Sequence, residues 1–426
     1  MDFIKDLILN GAEIYLVGGA VRNIIHNKYF DDKKKIKDKD LLICKMSDEQ
    51  ITKILRKYGK IKLVGISFGV LKFKPNNDQI EYDIALPRKE ISTGPGYKDF
   101  MIETNGDITI YQDFERRDAT INAIGKPIYN YDELHDNVID LNIIDPFGGC
   151  DDIKNKKWRA IGDPLKRFSE DPIRILRAFR QCAELNYDIE DNTLKCIENN
   201  LQLLESINSN SRVRIMDEIL RLLRTDCFVI LKLMKTVGLL DIIQIPNISS
   251  NKNILIFDKL PQKINMKIRL ALILNSHDNN ECFKWCKYNN VGSSLYFSKY
   301  WSSFIQCVNK YYYTLDKVAN DYDMRVLLQT LEANFQNFGK EFLIDLVDYY
   351  HIINGGSRFY NLLQNNVDFL LTINQVNING TELIELFKLT GIEIKIIKTH
   401  LLEKINRDEL KNVNKQIIDY LANYIK

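Results

Sequence analysis

No apolar run in the 426-residue chain approaches the length of a membrane span. The first residues, MDFIKDLILN, turn acidic at Asp2 and lack the pattern of a signal peptide. These absences predict a soluble, cytoplasmic protein. An excess of one charge is missing as well: 59 Lys and Arg stand against 57 Asp and Glu, a net of +2. Such a balance neither requires nor forbids a polyanionic partner, because binding needs a local basic face and not a basic average. The eight cysteines lack clustering; only Cys282 and Cys286, in CFKWC, come close, with no second pair or histidine beside them. That argues against a zinc site and for reduced, buried thiols. No fixed repeat period, no low-complexity tract and no feature pointing to a protein partner is present.

What is present suits a globular protein of more than one domain: 45% of the residues are hydrophobic and 27% charged. Up to about residue 150 short β runs alternate with helical runs. EIYLVGG (13–19) reads as a strand entering a glycine turn, and AVRNIIHNKYF follows with helical spacing. DLLIC, KIKLVG, GVLKFK and QIEYDIAL are further strands, patterned for a mixed sheet. SDEQITKILRKYG starts with a capping box, Ser47 to Gln50, and Gly59 is expected to close that helix. From about residue 163 the chain reads helical almost to its end, as in EDPIRILRAFRQCAEL, SRVRIMDEILRLLR, FVILKLMKTVGLL and TELIELFKL.

Five segments carry candidate chemistry. A strand ending in Gly18 and Gly19 at a helix start exposes backbone N–H groups suited to phosphate, and Arg22 could add a forked donor. Asp38 and Asp40 are two apart, so in an extended chain they share a face at the mouth of a strand. Glu81 and Asp83 repeat that spacing, and a neighbouring strand could set one of them beside the pair. Three carboxylates around one point need a cation, and two Mg²⁺ ions on oxygen ligands would satisfy them. Arg116, Arg117, Asp118 and Asn122 crowd a segment whose Ile121, Ala123 and Ile124 look buried, which suits a clamp on sugar and phosphate. Asp171 and Arg174, three apart at a helix start marked by Pro172, offer one acceptor and one donor. That pair can meet the pairing edges of cytosine and adenine while leaving guanine and uracil with unpaired groups.

In this order and spacing, GGAVR, DKD, DIALPR, RRDATINA, DPFGG, EDPIRILR and the weaker SRVRIMDEIL resemble the class II tRNA nucleotidyltransferase and bacterial poly(A) polymerase family, the CCA-adding enzymes. The resemblance spans roughly residues 13–225. It implies an α+β fold: a polymerase-β-like nucleotidyltransferase head with a mixed β-sheet and helices (1–145), then an all-helical neck for nucleobase recognition (146–225), body (226–330) and tRNA-binding tail (331–426). By that resemblance Asp38 and Asp40 are the metal-binding carboxylates and Asp83 is the third catalytic acid. Gly18, Gly19 and Arg22 would hold the triphosphate, Arg116, Arg117, Asp118 and Asn122 would meet ribose and phosphates, and Asp171 and Arg174 would read the base. Arg177 joins these nucleotide-binding residues, and Arg214 and Glu218 would brace their helix. The implied activity is template-independent addition of C, C and A from CTP and ATP to the 3′ end of tRNA, engaging the tRNA's 3′ end and acceptor stem, by two-metal transfer with Mg²⁺.

The chain departs from the family pattern in two places. Asn23 stands where the family usually has Asp, and the connection from Arg22 to Asp38 is several residues longer than usual, filled by DDKKK. The phosphohydrolase domain of some relatives needs matched His and Asp residues; His277-Asp278 is isolated, so that domain is not expected. KLVGISFGVLKF resembles the tRNA enzymes more than the poly(A) polymerases, and the loop from Arg88 to Ile110, with TGPGYKDF, favours full CCA addition. CC-only or A-only addition and poly(A) synthesis are the alternatives within the class. An inactive RNA-binding relative, using KNKKWRAIGDPLKRF for phosphate contact, is the alternative outside it.

Overall fold

A computed structural model describes residues 2–36, 39–63, 70–76, 78–92, 100–104, 107–136, 142–205, 207, 212–243, 260, 264–274, 299–335, 338–366 and 372–425. Asp38, residues 93–99 of the TGPGYKDF segment, the His277–Asp278 dipeptide and the Cys282–Cys286 pair lie outside them. The chain divides into two compact units, Met1–Gln244 and Ile245–Lys426. Among the described residues no helix is long and apolar enough to cross a membrane.

The first unit opens with α1 (Phe3–Leu9), β1 (Glu13–Val17), α2 (Gly19–Tyr29), β2 (Lys39–Cys44), α3 (Asp48–Leu55), β3 (Gly59–Leu63), β4 (Val70–Pro75) and β5 (Tyr82–Ala85). It continues with β6 (Arg88–Ser92), β7 (Phe100–Thr104), α4 (Ile110–Glu115) and β8 (Gly125–Pro127). Six strands form one sheet in the order β3-β4-β5-β2-β1-β8. The β2–β5 pair is parallel and the other pairs are antiparallel, the mixed sheet that the alternating pattern predicts. Strand alternation then sorts β2: Leu41 and Ile43 face one way, and Leu42 and Cys44 the other. On the first side Phe3 of α1 packs on Phe73 and Tyr82, with ring centroids 5.0 and 6.0 Å apart. On the second side Val17, Leu42 and Cys44 join Ile110 and Phe114 of α4, with Ala123 and Ile161, in a buried cluster.

Two local expectations need correction. The Ser47–Gln50 capping box forms as read, but Gly59 does not close α3; the helix ends at Leu55 with Arg56 as its cap, and Gly59 starts β3. A Cβ at Gly59 would stand 2.2 Å from the Lys74 carbonyl oxygen, so the glycine serves a close strand approach instead of a helix end. The segment from Arg88 onward, read as a loop, contains the antiparallel hairpin β6–β7, in which the two runs satisfy each other's backbone groups.

The rest of the first unit comprises α5 (Gly149–Lys154), β9 (Lys157–Trp158), α6 (Pro164–Glu170), α7 (Ile173–Leu185), β10 (Asp188–Ile189), α8 (Asp191–Asn199), α9 (Arg212–Leu222), α10 (Phe228–Thr236) and α11 (Leu239–Ile242). α7 is buried along most of its length because β9, β10, α9 and α10 all pack against it. FVILKLMKTVGLL, read as one helical run, breaks between α10 and α11 at Gly238, whose φ of +79° a helix cannot continue through. In the second unit the regular elements described are helical. Its helices Met266–Leu274 and Gly339–Asn354 bury Lys267 against Asp345, beside Phe304 and Phe342.

Candidate functional site

One row of residues in register runs across the sheet: Lys72, Asp83, Asp40, Val17 and Gly125. Residues paired in this way point to the same face, so Asp40 and Asp83 stand side by side. The same face of β2 and β5 continues as Leu42, Cys44 and Ala85, which pack into or against the α4 cluster. Burial of that apolar row leaves each strand only one way to face, which aims both carboxylates. Glu81, the other candidate acid, precedes β5 and is exposed.

The turn between β1 and α2 closes over this row. Gly18 has φ +71°, and a Cβ there would lie 3.5 Å from Asp40 Oδ2 and 3.6 Å from an Arg117 Nη1. A glycine suits the backbone conformation, and the two distances put both Asp40 and Arg117 close to the helix start. Lys72 Nζ lies 2.7 Å from Asp83 Oδ1. This face therefore already draws a cation onto a carboxylate, and its oxygen-only donors fit a hard divalent ion. Among the described residues no three His, Cys, Asp or Glu side chains gather at one point, and Asp38 is not among those residues.

Arg116 and Arg117 follow α4 and turn back onto it. Both pair with Asp113, at 2.5 Å to Oδ1 and 2.9 Å to Oδ2 respectively, and Arg117 Nη1 also donates to the Asn122 carbonyl at 2.8 Å. Burial alone would raise the Asp113 carboxyl, but the Arg117 and Arg116 guanidinium groups outweigh it and hold the pKa below the usual range. Reasoning from the sequence missed Asp113. Its spacing, three and four residues before the two arginines, was the available signal.

Asp118 and Asn122, with the Ile121, Ala123 and Ile124 expected to be buried, are indeed interior. Asp118 accepts from Asn122 Nδ2 at 2.9 Å on Oδ1, and on Oδ2 from Gln181 at 3.1 Å and from Arg177 at 2.9 Å. Burial opposes the charge, yet Arg177 and the Asn122 hydrogen bond hold the Asp118 pKa down at about 2. Asn122 in turn takes a 2.7 Å hydrogen bond from Arg22 Nη1, so α2, the segment after α4 and α7 meet in one network. Arg177 keeps its Nε buried without a hydrogen-bond partner.

Asp171 and Arg174 share the start of α7 but face different partners. Asp171 accepts from Ile173 N and from Arg214 Nη2, at 3.3 and 2.6 Å. Arg174 is buried and reaches Glu170 and the carbonyls of Arg167 and Arg116 at 2.7–2.9 Å. The Arg116 contact ties this helix to the RRD segment. Arg180 pairs with both Glu184 and Glu218, which links α7 to α9.

The two departures from the family pattern meet in space. Asn23 accepts a fork from Arg22 Nε and Nη2, at 3.1 and 3.0 Å, and donates its amide to the Lys35 carbonyl at 2.9 Å. One helical turn on, Asn27 exchanges hydrogen bonds with Lys34 N and Lys34 O, at 2.6 and 2.8 Å. The extra residues are thus laid along α2 by two asparagine amides. An aspartate at position 23 could hold Arg22 but has no proton to give Lys35.

Residues 14–159 match the poly A polymerase head domain, and residues 186–251 match the probable RNA and SrmB-binding site of polymerase A. The multifunctional CCA protein of Nitrosococcus oceani is 33% identical over 186 residues, 44% of this chain and 39% of that protein. The CCA-adding enzyme of a Geobacillus species is 31% identical over 212 residues, 49% of this chain and 45% of that protein. The match therefore spans less than half the length of either relative. Among solved structures, the Bacillus stearothermophilus CCA-adding enzyme in complex with CTP superposes with a TM-score of 0.71 at 19% identity, over 99% of this chain and 95% of that one. The Thermotoga maritima CCA-adding enzyme complexed with tRNA gives 0.65 at 18%, over 100% and 94%. At such identities these two show the shared fold, while the head-domain match spans the segments from Gly18 to Asn122. Residues 14–159 thus carry a poly A polymerase head domain, and over less than half of its length the chain is similar to CCA-adding enzymes.

Proposed function

We propose that this protein adds C, C and A to the 3′ end of tRNA, using CTP and ATP and no nucleic-acid template. The observation that carries the reading is the in-register pairing of Asp40 with Asp83 beside the glycine-capped start of α2. The relatives named as CCA-adding enzymes, and solved neighbours bound to CTP, ATP or tRNA, support the choice of substrates. The family's chemistry depends on a divalent metal, which we identify as Mg²⁺. Two such ions would activate the tRNA hydroxyl and neutralise the leaving pyrophosphate when bound.

Asp40 and Asp83, with Asp38, are the residues that would hold the metal. The tRNA 3′-hydroxyl attacks the α-phosphate in line, and pyrophosphate leaves. Gly18 and Gly19 present backbone N–H groups at a helix start for the phosphates, and Arg22, Arg116 and Arg117 supply positive charge around them. Asp118 and Asn122 meet the ribose. Asp171 and Arg174 read the base by exchanging present partners such as Arg214 and Glu170 for its pairing edge, and Arg177 Nε gives one more donor. We assign the head to 1–145, the base-reading neck to 146–225, and the tRNA-holding body and tail to 226–330 and 331–426. The reaction belongs in the cytoplasm, with its tRNA substrate.

Purified protein with Mg²⁺ is incubated with tRNAs ending before CCA, after C and after CC, with CTP, ATP or both, and the products are weighed by mass spectrometry. Two C and one A gained on the first tRNA, and a loss of at least about a thousandfold in rate in Asp40→Ala and Asp83→Asn, are the expected results. Growth that stops at CC, or starts only from CC, would make the enzyme half of a divided pair. Long A tails on any RNA would replace the tRNA assignment, and no product in any reaction would leave an RNA-binding protein.

A further inference from the structure

Gln181 sits on α7, 4% exposed, on the helix face it shares with Arg174 and Arg177. A glutamine buried this deeply requires partners, and it has three. Nε2 donates to Asp118 Oδ2 at 3.1 Å, while Oε1 accepts from Asn122 Nδ2 at 2.8 Å and from Trp158 Nε1 at 3.0 Å. The chemistry of those partners dictates which way the amide points. An indole N–H can only donate, so Oε1 must face the fully buried Trp158. An ionised carboxylate can only accept, so Nε2 must face Asp118.

The direction then passes along the chain. Asn122 gives its own amide protons to Gln181 Oε1 and Asp118 Oδ1, which leaves its Oδ1 for Arg22. A carboxylate offers about four acceptor directions. On Asp118, Asn122 takes one at Oδ1, and Gln181 and Arg177 take two at Oδ2, so one direction on Oδ1 is left. That remaining site can take the proton of a hydroxyl. A carbon-bound hydrogen at the same place gives it nothing.

We propose that Gln181, oriented by Trp158, is the positioning residue that, directly and through Asn122, aims Asp118 at the ribose 2′-hydroxyl and sets a preference for ribonucleotides over 2′-deoxyribonucleotides. The inference rests on the reading of Asp118 and Asn122 as the ribose contact. Neither leucine nor glutamate serves here. Leucine would strand the Trp158 N–H and the Asn122 amide in the interior, and glutamate would set a second carboxylate against Asp118.

The test compares CTP with 2′-deoxy-CTP as substrates on tRNA lacking CCA, in the wild type, Gln181→Leu and Trp158→Phe. Trp158→Phe keeps an aromatic ring and removes the N–H. In Gln181→Leu the KM for CTP rises about tenfold with kcat changed by less than about threefold, while the KM for deoxy-CTP rises little. The CTP preference therefore falls by about fivefold or more, and Trp158→Phe moves it the same way by a smaller factor. An unchanged preference in both variants, however far the rates fall, overturns the inference and leaves Gln181 a packing residue. If Gln181→Leu does not fold, Trp158→Phe decides alone. Absence of transfer by the wild type would be failure of the function reading itself; the affinity ratio for CTP and deoxy-CTP, by titration calorimetry on the same three proteins, then decides the inference independently.

Discussion

At the scale of single residues, the site is built from carboxylates kept charged in places where burial would neutralise them. Asp113 and Asp118 are both interior, and both have their pKa held down by arginines. For Asp118 the sign is definite: the folded value, about 2, lies below the ordinary aspartate value, so the charged form stabilises the fold. That contribution is complete above about pH 4 and is lost as the pH falls toward the folded value. Asp118→Asn should cost on the order of 2 kcal/mol at neutral pH. In urea titrations the gap between variant and wild type should narrow steadily as the solution is acidified through that window. A gap independent of pH would mean that Asp118 is neutral or unpaired in the fold. The residue types in the RRD segment were visible in the sequence, but their partners were not. Gln181 lies 59 positions from Asn122, and no spacing rule connects them.

At the scale of elements, the segment between α2 and β2 is held in place by side chains of α2. It runs DDKKK, and the structure lays it on α2 through Asn23 and Asn27, which are four apart and so share a helix face. Asn23→Asp should release the Lys35 end while keeping the Arg22 fork, at a cost of about 1 kcal/mol for the lost hydrogen bond. Trypsin cleavage at Lys33, Lys34 or Lys35 should quicken in the folded protein, with CTP affinity altered less than the cleavage rate. Equal cleavage rates in both proteins would show that the amide does not hold the segment. Local signals in the sequence were read correctly where they acted locally, as in the Ser47 capping box. They misled where a distant strand decided. Gly59 has the position of a helix stop, yet the Lys74 carbonyl pressed against it explains the glycine.

At the scale of the molecule, the proposed nucleotide residues fall within Met1–Gln244, one of two compact units. A fragment of residues 1–244 should unfold cooperatively and bind CTP within about threefold of the full chain, since a unit with its own core can fold alone. Its affinity for tRNA should fall by about tenfold or more if the second unit supplies phosphate contacts. Calorimetry and filter binding measure the two quantities. A fragment that does not fold would mean that the unit depends on the remainder of the chain. Periodicity and glycine turns were enough to read a mixed sheet followed by a helical remainder, and the resemblance of the ordered short motifs supplied the α+β head and the segments that carry chemistry. Those properties depend on neighbours along the chain, where spacing dictates which side chains share a face. Strand order, the register that sets Asp40 beside Asp83, and the buried ring of Trp158, Gln181, Asp118 and Asn122 came only with tertiary structure. They depend on contacts between residues far apart in the chain, which form because whole apolar faces are buried together, and no short stretch of sequence records that choice.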